Sequence, residues 1–263
     1  MQIFRKFLQQ ILKFLSQLAL KKHKIEIIVV SGWFGTRLAS ELTYSVLSEK
    51  FKVRRNIKNI NWDLCLPLAI LGYKDKQRSF LEWSRLLIKA IGYLIFGKSN
   101  PHILILTANS SLESTAKYWS SFIKPDYLII LNQENRNSSL TDELIKITQN
   151  NSGLIIYNPE KISPHLHNLL SKMNSVTYGI EKNNFLTVHN LADKLELTYK
   201  KEKIILPMQK MPEFTRDIIG AVATLALKKK MLLEEIVFSS VKFELPNEVI
   251  KRIKSNFLLK MKP

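Results

Sequence analysis

Cysteine is nearly absent from this chain, and the shortage limits the chemistry available to it. The 263 residues include a single cysteine, Cys65, so the chain forms no internal disulfide and offers no cysteine-based zinc cluster. A chain of this length with 46% hydrophobic residues buries a full core without such supports. We therefore predict an α/β domain without a metal, suited to a reducing cytoplasm.

Acidic residues are also in short supply. The sequence contains 22 Asp and Glu against 40 Lys and Arg, which gives a formal net charge of +18. Such an excess favours contact with an anionic surface: nucleic acid, acidic phospholipid or a phosphorylated substrate. No motif that interleaves aromatic and basic residues accompanies the charge, so nucleic acid is not expected as a partner.

Long uninterrupted apolar runs are missing, but residues 1–23 have the pattern of an amphipathic helix. Apolar residues recur at helical spacing and a basic cluster follows them, while Lys13 and several glutamines make the segment a poor membrane span. It either lies on an anionic cytoplasmic leaflet or packs against the domain or a partner, and the sequence leaves both open. The membrane-facing candidates are Phe4, Phe7, Leu8, Ile11, Leu15, Lys21 and Lys22.

A second apolar stretch, residues 80–97, also has helical spacing. Lys89 and the limited length argue against a transmembrane segment. A helix that covers a sheet is favoured here over a second membrane-facing helix, because nearly all-round apolar helices in α/β chains are usually buried.

Alternating strands and helices occupy residues 24–246, and a basic tail follows at 247–263. The alternation predicts a doubly wound, mostly parallel sheet, and short extended pieces after Val176 predict a small antiparallel sheet. The strands are expected at 25–30, 103–107, 127–131 and 154–157, and the extended pieces at 185–188, 194–199 and 203–206. Helices are expected at 36–51, 112–123, 141–150, 164–173, 214–229 and 233–239.

The turn after the first strand has the layout of a phosphate-binding loop. A buried strand runs through a glycine-containing turn into a helix, a geometry that directs backbone N–H groups at an anion. A working loop needs lysine for the phosphates and then Ser or Thr for Mg²⁺, whereas this chain has Thr36 and Arg37. The aromatic rings of Trp33 and Phe34 occupy the turn itself. The loop comprises Ser31, Gly32, Trp33, Phe34, Gly35, Thr36 and Arg37.

Three segments, at residues 27–41, 46–53 and 59–72, match in order and spacing the texts TGSxGKTTTKE, VLSxxFxV and NxNNxxGxPLxILG. In these segments the chain resembles the central domain of the Mur ligase family, which has a phosphate-loop type of α/β fold. The branch that joins D-alanyl-D-alanine to a UDP-N-acetylmuramoyl-tripeptide is the most similar. Further matches at 123–130, 153–160 and 220–226 extend the resemblance over most of the chain. Asn59, Asn61 and Asn132 are similar to family asparagines.

The resemblance implies an ATP-dependent amide ligase of peptidoglycan synthesis that activates a carboxylate as an acyl phosphate. This chain departs from the family pattern wherever that pattern carries chemistry. The family's loop lysine and threonine fall on Thr36 and Arg37, and its metal-binding glutamate falls on Thr107. Its nucleotide-contacting histidine and asparagine fall on Arg216 and Gly220. The family's carbamoylated lysine has no counterpart at the matching position.

We therefore predict a catalytically degenerate Mur-ligase-like protein, a binding or scaffold protein that acts beside a cell-wall synthesis enzyme. No catalytic residue, metal or cofactor is expected, and the location is the cytoplasm, peripheral on the inner face of the membrane. The alternative is an active ligase with a non-standard loop, in which Thr36 holds Mg²⁺ and Arg37 reaches the phosphates of ATP. Magnesium-dependent ATP binding distinguishes the two.

Overall fold

A mixed sheet is the centre of the structure, a computed structural model that describes residues 2–32, 35–56, 63–74, 76–96, 101–108, 118–132, 142, 145–146, 148, 150, 152–191, 194–207 and 214–243. The strands in these residues are β1 (Glu26–Ser31), β2 (Val53–Arg55), β3 (Ile103–Ala108), β4 (Tyr127–Ile130), β5 (Leu154–Tyr157), β6 (Ser175–Gly179), β7 (Leu186–Leu191), β8 (Lys194–Tyr199) and β9 (Glu202–Pro207). Their order in the sheet is β2-β3-β1-β4-β5-β6-β7-β8-β9. Neighbouring strands are parallel from β2 across to β7, and β8 and β9 extend the sheet in antiparallel pairing.

Helices cover both faces of this sheet. They are α1 (Gln2–His23), α2 (Thr36–Ser48), α3 (Cys65–Ile70), α4 (Phe80–Phe96), α5 (Pro164–Leu170), α6 (Phe214–Lys228) and α7 (Leu233–Val241), with a 3-10 turn at Pro159–Lys161. Ile27 and Val29 of β1 face the core under α1, α3, α4 and α5, whereas Ile28 and Val30 face the core under α2, α6 and α7. The period-two alternation of the strand therefore feeds two separate apolar layers.

The predicted fold class is confirmed: the sheet is doubly wound and mostly parallel, and an N-terminal helix is present. The antiparallel strands continue the main sheet and do not form a separate one. The short strand β2 was not predicted, because Val53, Arg54 and Arg55 carry too much charge for a buried strand pattern. Helix α3 and strand β6 were also not predicted. The tail at 247–263 lies outside the described residues, as do parts of the helices expected at 112–123 and 141–150.

Helix α1 packs against the domain along one of its faces. Leu8, Leu12, Leu15 and Ala19 are buried in the core that α3 and α4 share. The prediction that Leu8 and Leu15 face a membrane is therefore wrong, because both side chains contact the protein interior.

The other membrane-facing candidates lie differently. Phe4 and Phe7 are exposed, Ile11 is half-buried against the core, and Lys21 and Lys22 are exposed at the end of the helix. Among the described residues, no helix combines the length and the apolar character needed to cross a bilayer.

Polar contacts fix α1 to the segment before α3. Asp63 accepts hydrogen bonds from Arg5, at 2.8 Å from its Nε, and from the side-chain amide of Gln9. The hydroxyl of Tyr118 donates to the Gln9 carbonyl over 2.7 Å. Burial alone would raise the pKa of Asp63, but its hydrogen bonds to Arg5 and the positive charge of that residue outweigh burial, so the pKa lies below its ordinary value. The carboxylate is therefore charged when it holds α1 in place.

Helix α4 is buried on one side only. Trp83, Leu86, Ala90 and Leu94 lie in the same core as α1. The opposite side exposes Ile88 and other apolar residues. The favoured prediction of a buried helix therefore holds for one side of α4 only.

Candidate functional site

The turn after β1 lies at the carboxyl end of a central parallel strand, where open α/β sheets form their ligand sites. Ser31 ends the strand between Ala108 of β3 and Ile130 of β4. Gly35 has φ 80°, a left-handed conformation that favours glycine, and α2 begins at the next residue. A Cβ atom on Gly35 would lie 3.0 Å from Cδ1 of Ile218 in α6, so that helix packs close to the turn.

The structure places several residues of the predicted loop together. Ser31 and Thr36 are buried, and Gly32 adjoins Asn132, which follows β4. A Cβ atom on Gly32 would lie 3.3 Å from both the carbonyl oxygen and Oδ1 of Asn132, so only glycine permits this close approach without movement. Trp33, Phe34, Asn59 and Asn61 lie outside the described residues.

Arg37 is the cation at the start of α2, and its guanidinium is held on the side of the helix that faces β2. Its Nη2 lies 2.6 Å from Oε1 of Glu41, one turn further along α2, and its Nη1 donates to the carbonyl oxygen of Asn56 over 2.6 Å. Oε2 of Glu41 lies 2.7 Å from Nε of Arg55 in β2. The Glu41 side chain is only 3% exposed, so two guanidinium groups neutralise a buried carboxylate here.

Arg55 has a second contact that fixes the cluster. Its guanidinium carbon lies 3.7 Å from the centre of the Tyr44 ring, a cation–π distance. We name Arg37, Glu41 and Arg55 together the Glu41 cluster. The cluster compensates the buried carboxylate beside the turn and keeps a net charge of +1.

Thr107, which the resemblance aligns with a metal-binding glutamate, is buried near the end of β3. Its hydroxyl and that of Ser40 form a hydrogen bond with an oxygen–oxygen distance of 2.7 Å. Its N–H donates to Oδ1 of Asn56 over 2.8 Å. Both hydroxyl groups are buried and paired, so this position supplies an uncharged hydrogen bond where a divalent cation would need a carboxylate.

The described residues around the turn do not fit Mg²⁺. The Glu41 carboxylate is neutralised by two arginines, and the hydroxyl of Thr107 bonds to Ser40. In the part of the chain that the structure describes, no group of three or more His, Cys, Asp or Glu residues could hold a metal ion. We derive no catalytic step through a metal at this site.

Gly220, which the resemblance aligns with a nucleotide-contacting asparagine, lies in the middle of α6. A Cβ atom at this position would lie 2.6 Å from Cδ2 of Tyr178, whose side chain is fully buried. Burial raises the pKa of Tyr178 well above its ordinary value, so the ring remains a neutral packing group. Tyr178 thus occupies the volume that a larger residue at 220 would require.

A small polar cavity of about 160 Å³ lies next to the N-terminal end of α6. In it, Oδ1 of Asp217 accepts a hydrogen bond from Nδ2 of Asn158 over 3.2 Å, and Oδ2 lies 3.4 Å from Nζ of Lys161. Burial raises the pKa of Asp217, and Lys161 and Asn158, which favour the charged carboxylate, offset that effect only in part. Arg216 is another of the residues that line this cavity.

Sequence reasoning missed Ser40, Glu41, Arg55 and Asn56 as members of this site. The spacing of Arg37 and Glu41, four residues apart on a helix, was an available signal for an ion pair. Asn56 had no such signal, because it reaches Arg37 and Thr107 only through the packing of β2 against β3.

Comparison with known proteins identifies the fold. Crystal structures of MurF superpose on most of the chain: the enzyme from Acinetobacter baumannii with a TM-score of 0.66 at 14% identity, and that from Thermotoga maritima, solved in complex with ADP, with a TM-score of 0.67 at 12% identity. The fold is that of the Mur ligases. The superpositions cover 89% and 90% of this chain but 50% and 53% of those chains, so it spans about half the length of these Mur ligases.

The sequence comparison agrees with the Mur ligase fold. The UDP-N-acetylmuramoyl-tripeptide:D-alanyl-D-alanine ligase of Borreliella burgdorferi is 24% identical over 170 residues, which cover 59% of this chain and 35% of the relative. No protein-family model matches the chain. The chain is therefore Mur-ligase-like in fold and, weakly, in sequence.

Proposed function

We propose that this chain is a catalytically degenerate Mur-ligase-like protein that serves peptidoglycan precursor synthesis as a binding or scaffold protein. It retains the sheet and the strand–turn–helix unit of a nucleotide-binding ligase without the charged groups that phosphoryl transfer needs. Its partner is a cell-wall synthesis enzyme, and its site of action is the inner face of the cytoplasmic membrane. No cofactor takes part in this role.

The observation that carries the proposal is the position of Arg37. The guanidinium that would have to replace the loop lysine is engaged by the buried Glu41 carboxylate at 2.6 Å and by the Asn56 carbonyl at 2.6 Å. Withdrawing it towards a phosphate would leave Glu41 with Arg55 alone, at a cost of about 1–3 kcal/mol. Each charged group that phosphoryl transfer uses and that is missing here raises the activation barrier by about 3 kcal/mol more.

The competing proposal is an active ligase with ATP and Mg²⁺. The end of the turn favours it, since Gly35 has the left-handed conformation and Thr36 starts the helix as a hydroxyl-bearing residue would in a working loop. It requires Arg37 to leave the Glu41 cluster when nucleotide binds.

Isothermal titration with ATP, with and without Mg²⁺, tests the choice. The natural chain is expected to give no magnesium-dependent binding heat. A double variant, Thr36→Lys with Arg37→Thr, restores the order of charged and hydroxyl residues in the loop and is the gain-of-binding arm. Arg37→Thr alone is the matched control, because it frees the loop from Arg37 without supplying a lysine.

Magnesium-dependent ATP binding by the natural chain would refute the degenerate assignment, and ligase assays with cell-wall precursors would follow. No binding heat from the natural chain together with ATP binding by the double variant would support loss of the loop chemistry in a pocket that can still bind ATP. Co-elution of the natural chain with the purified D-alanyl-D-alanine-adding ligase of the same cell supports the scaffold role.

A further inference from the structure

Helix α1 carries two apolar stripes, and the structure buries only one of them. At about 100° per residue, Phe4, Phe7, Phe14 and Leu18 fall within an arc of about 80° that adjoins the buried stripe of Leu8, Leu12 and Leu15. Phe7 and Phe14 are 61% and 59% exposed, against 3% for Leu8. Large apolar side chains, three of them aromatic, are therefore presented outward from Phe4 to Leu18.

Helix α4 repeats this arrangement. Leu81, Ile88, Ile91 and Ile95 fall within an arc of about 80°, and the exposed fraction of Ile88 reaches 70%. Scattered apolar residues on a surface are ordinary, but an apolar stripe along a helix of 17 residues is not.

The two helices lie side by side and run in the same direction. At their first turns the rings of Phe4 and Phe80 are 5.3 Å apart between centroids. At their last turns His23 contacts the ring of Tyr93, and Nζ of Lys22 donates to the carbonyl oxygen of Leu94. Phe4 and Phe80 are both exposed, so the two stripes meet at this end. We name the exposed stripes together the α1/α4 face.

Basic residues predominate around the α1/α4 face. Helix α1 contains no acidic residue and ends in Lys21, Lys22 and His23, and α4 adds Arg85 and Lys89. The acidic Glu82 in α4 is paired with Lys76, and Asp63 beside α1 is paired with Arg5. A protein partner would place complementary acidic groups at defined positions, whereas a predominantly basic border complements an anionic bilayer.

We infer that the α1/α4 face docks on an anionic phospholipid bilayer, with the exposed rings and isoleucines inserted among the acyl chains and the lysines at the headgroups. This inference rests on the proposed location at the membrane and deepens it, since it names α4 as half of the contact. It is independent of whether the chain binds ATP.

Sedimentation with vesicles tests the inference on the full chain. The vesicles contain phosphatidylglycerol and phosphatidylcholine in equal parts, or phosphatidylcholine alone. The decisive variant is Ile88→Gln with Ile95→Gln on α4, and Phe7→Gln with Phe14→Gln tests α1. The matched control, Ile205→Gln with Phe238→Gln, changes two exposed apolar residues elsewhere on the protein. All these side chains are exposed, so the thermal midpoint stays unchanged.

The natural chain is expected to bind the anionic vesicles, more weakly as salt rises, and to leave phosphatidylcholine alone unbound. Each double variant in the α1/α4 face weakens that binding by about tenfold or more, because two large apolar side chains no longer enter the bilayer. The control variant binds as the natural chain does.

Three results would overturn the inference in distinguishable ways. If the natural chain does not sediment with anionic vesicles, both the membrane location and the α1/α4 face are wrong. If it does sediment and the α4 variant binds equally well, the location stands and α4 has no part in it. A dimer in analytical ultracentrifugation that the same variants dissociate, without vesicle binding, would assign the face to a second copy of the chain.

Discussion

Glu41 is an acidic residue in a basic protein, and it is buried at the edge of the turn that would hold a phosphate. Its two carboxylate oxygens lie 2.6 Å and 2.7 Å from the guanidinium groups of Arg37 and Arg55. A buried carboxylate keeps its charge only when partners compensate for the lost solvation. Arg37 therefore has a structural role, because its charge compensates the buried Glu41 carboxylate.

Replacement of Glu41 by Gln is expected to destabilise the fold by about 2 kcal/mol, because both arginines lose their charged partner while remaining half-buried. Urea unfolding measures the change. The matched control is Glu49→Gln at the exposed end of the same helix, which should shift stability by less than about 0.5 kcal/mol. Equal effects of the two substitutions would show that the Glu41 cluster does not stabilise the fold.

The absence of the loop lysine could be read from the sequence, but the contacts that Arg37 makes could not. The sequence itself has Thr36 and Arg37 at the positions where a working loop has a lysine and then a hydroxyl residue. The retention of Arg37 by Asn56 depends on β2, a three-residue strand whose two arginines conceal it in any search for apolar alternation. A tertiary contact between a helix and an edge strand produces no periodic pattern in the sequence.

At the scale of secondary structure, α1 is an integral part of the domain. Its buried stripe lies in the same core as the sheet residues Val29 and Leu104. The sequence predicted the helix but not its orientation, because residues 4, 7, 11, 14 and 18 satisfy helical spacing as well as residues 8, 12, 15 and 19 do. Only the shape of the surface under the helix decides which stripe turns inward.

Leu12→Ala is expected to lower the free energy of unfolding by about 3 kcal/mol, since the side chain is fully buried and its removal leaves a cavity. Leu18→Ala is the matched control in the same helix, with the same chemistry at a side chain that is 41% exposed, and should cost less than about 1 kcal/mol. Urea unfolding followed by circular dichroism compares them. A small effect of Leu12→Ala would mean that α1 detaches in solution.

At the scale of the whole molecule, the net charge of +18 opposes folding. Like charges brought together in the folded state repel one another, and exposed ion pairs such as Lys76 with Glu82 stabilise the fold little in water.

Sodium chloride is therefore expected to raise the thermal midpoint by about 2–5 °C between low and physiological ionic strength, because screening reduces the repulsion. Chloride is preferred to sulfate, which stabilises proteins by exclusion from their surface. Differential scanning calorimetry measures the change. A midpoint that falls with added chloride would show that ion pairs outweigh repulsion, and the opposite response of vesicle binding to salt separates folding from docking.

The separation of α1 and α4 along the chain also has a consequence for synthesis. The residue pair that joins the ends of α1 and α4, Lys22 and Leu94, is 72 positions apart in the chain. A ribosome adds roughly 5–20 residues per second, so α1 precedes its partner helix by roughly 4 to 14 seconds. Until α3 (Cys65–Ile70) has been made, both of its apolar stripes lack the helices that pack against α1 in the finished fold. The nascent helix therefore has time to contact lipid or a chaperone before its own domain is complete, and the stripe that finally faces outward is the one left after the fold has closed.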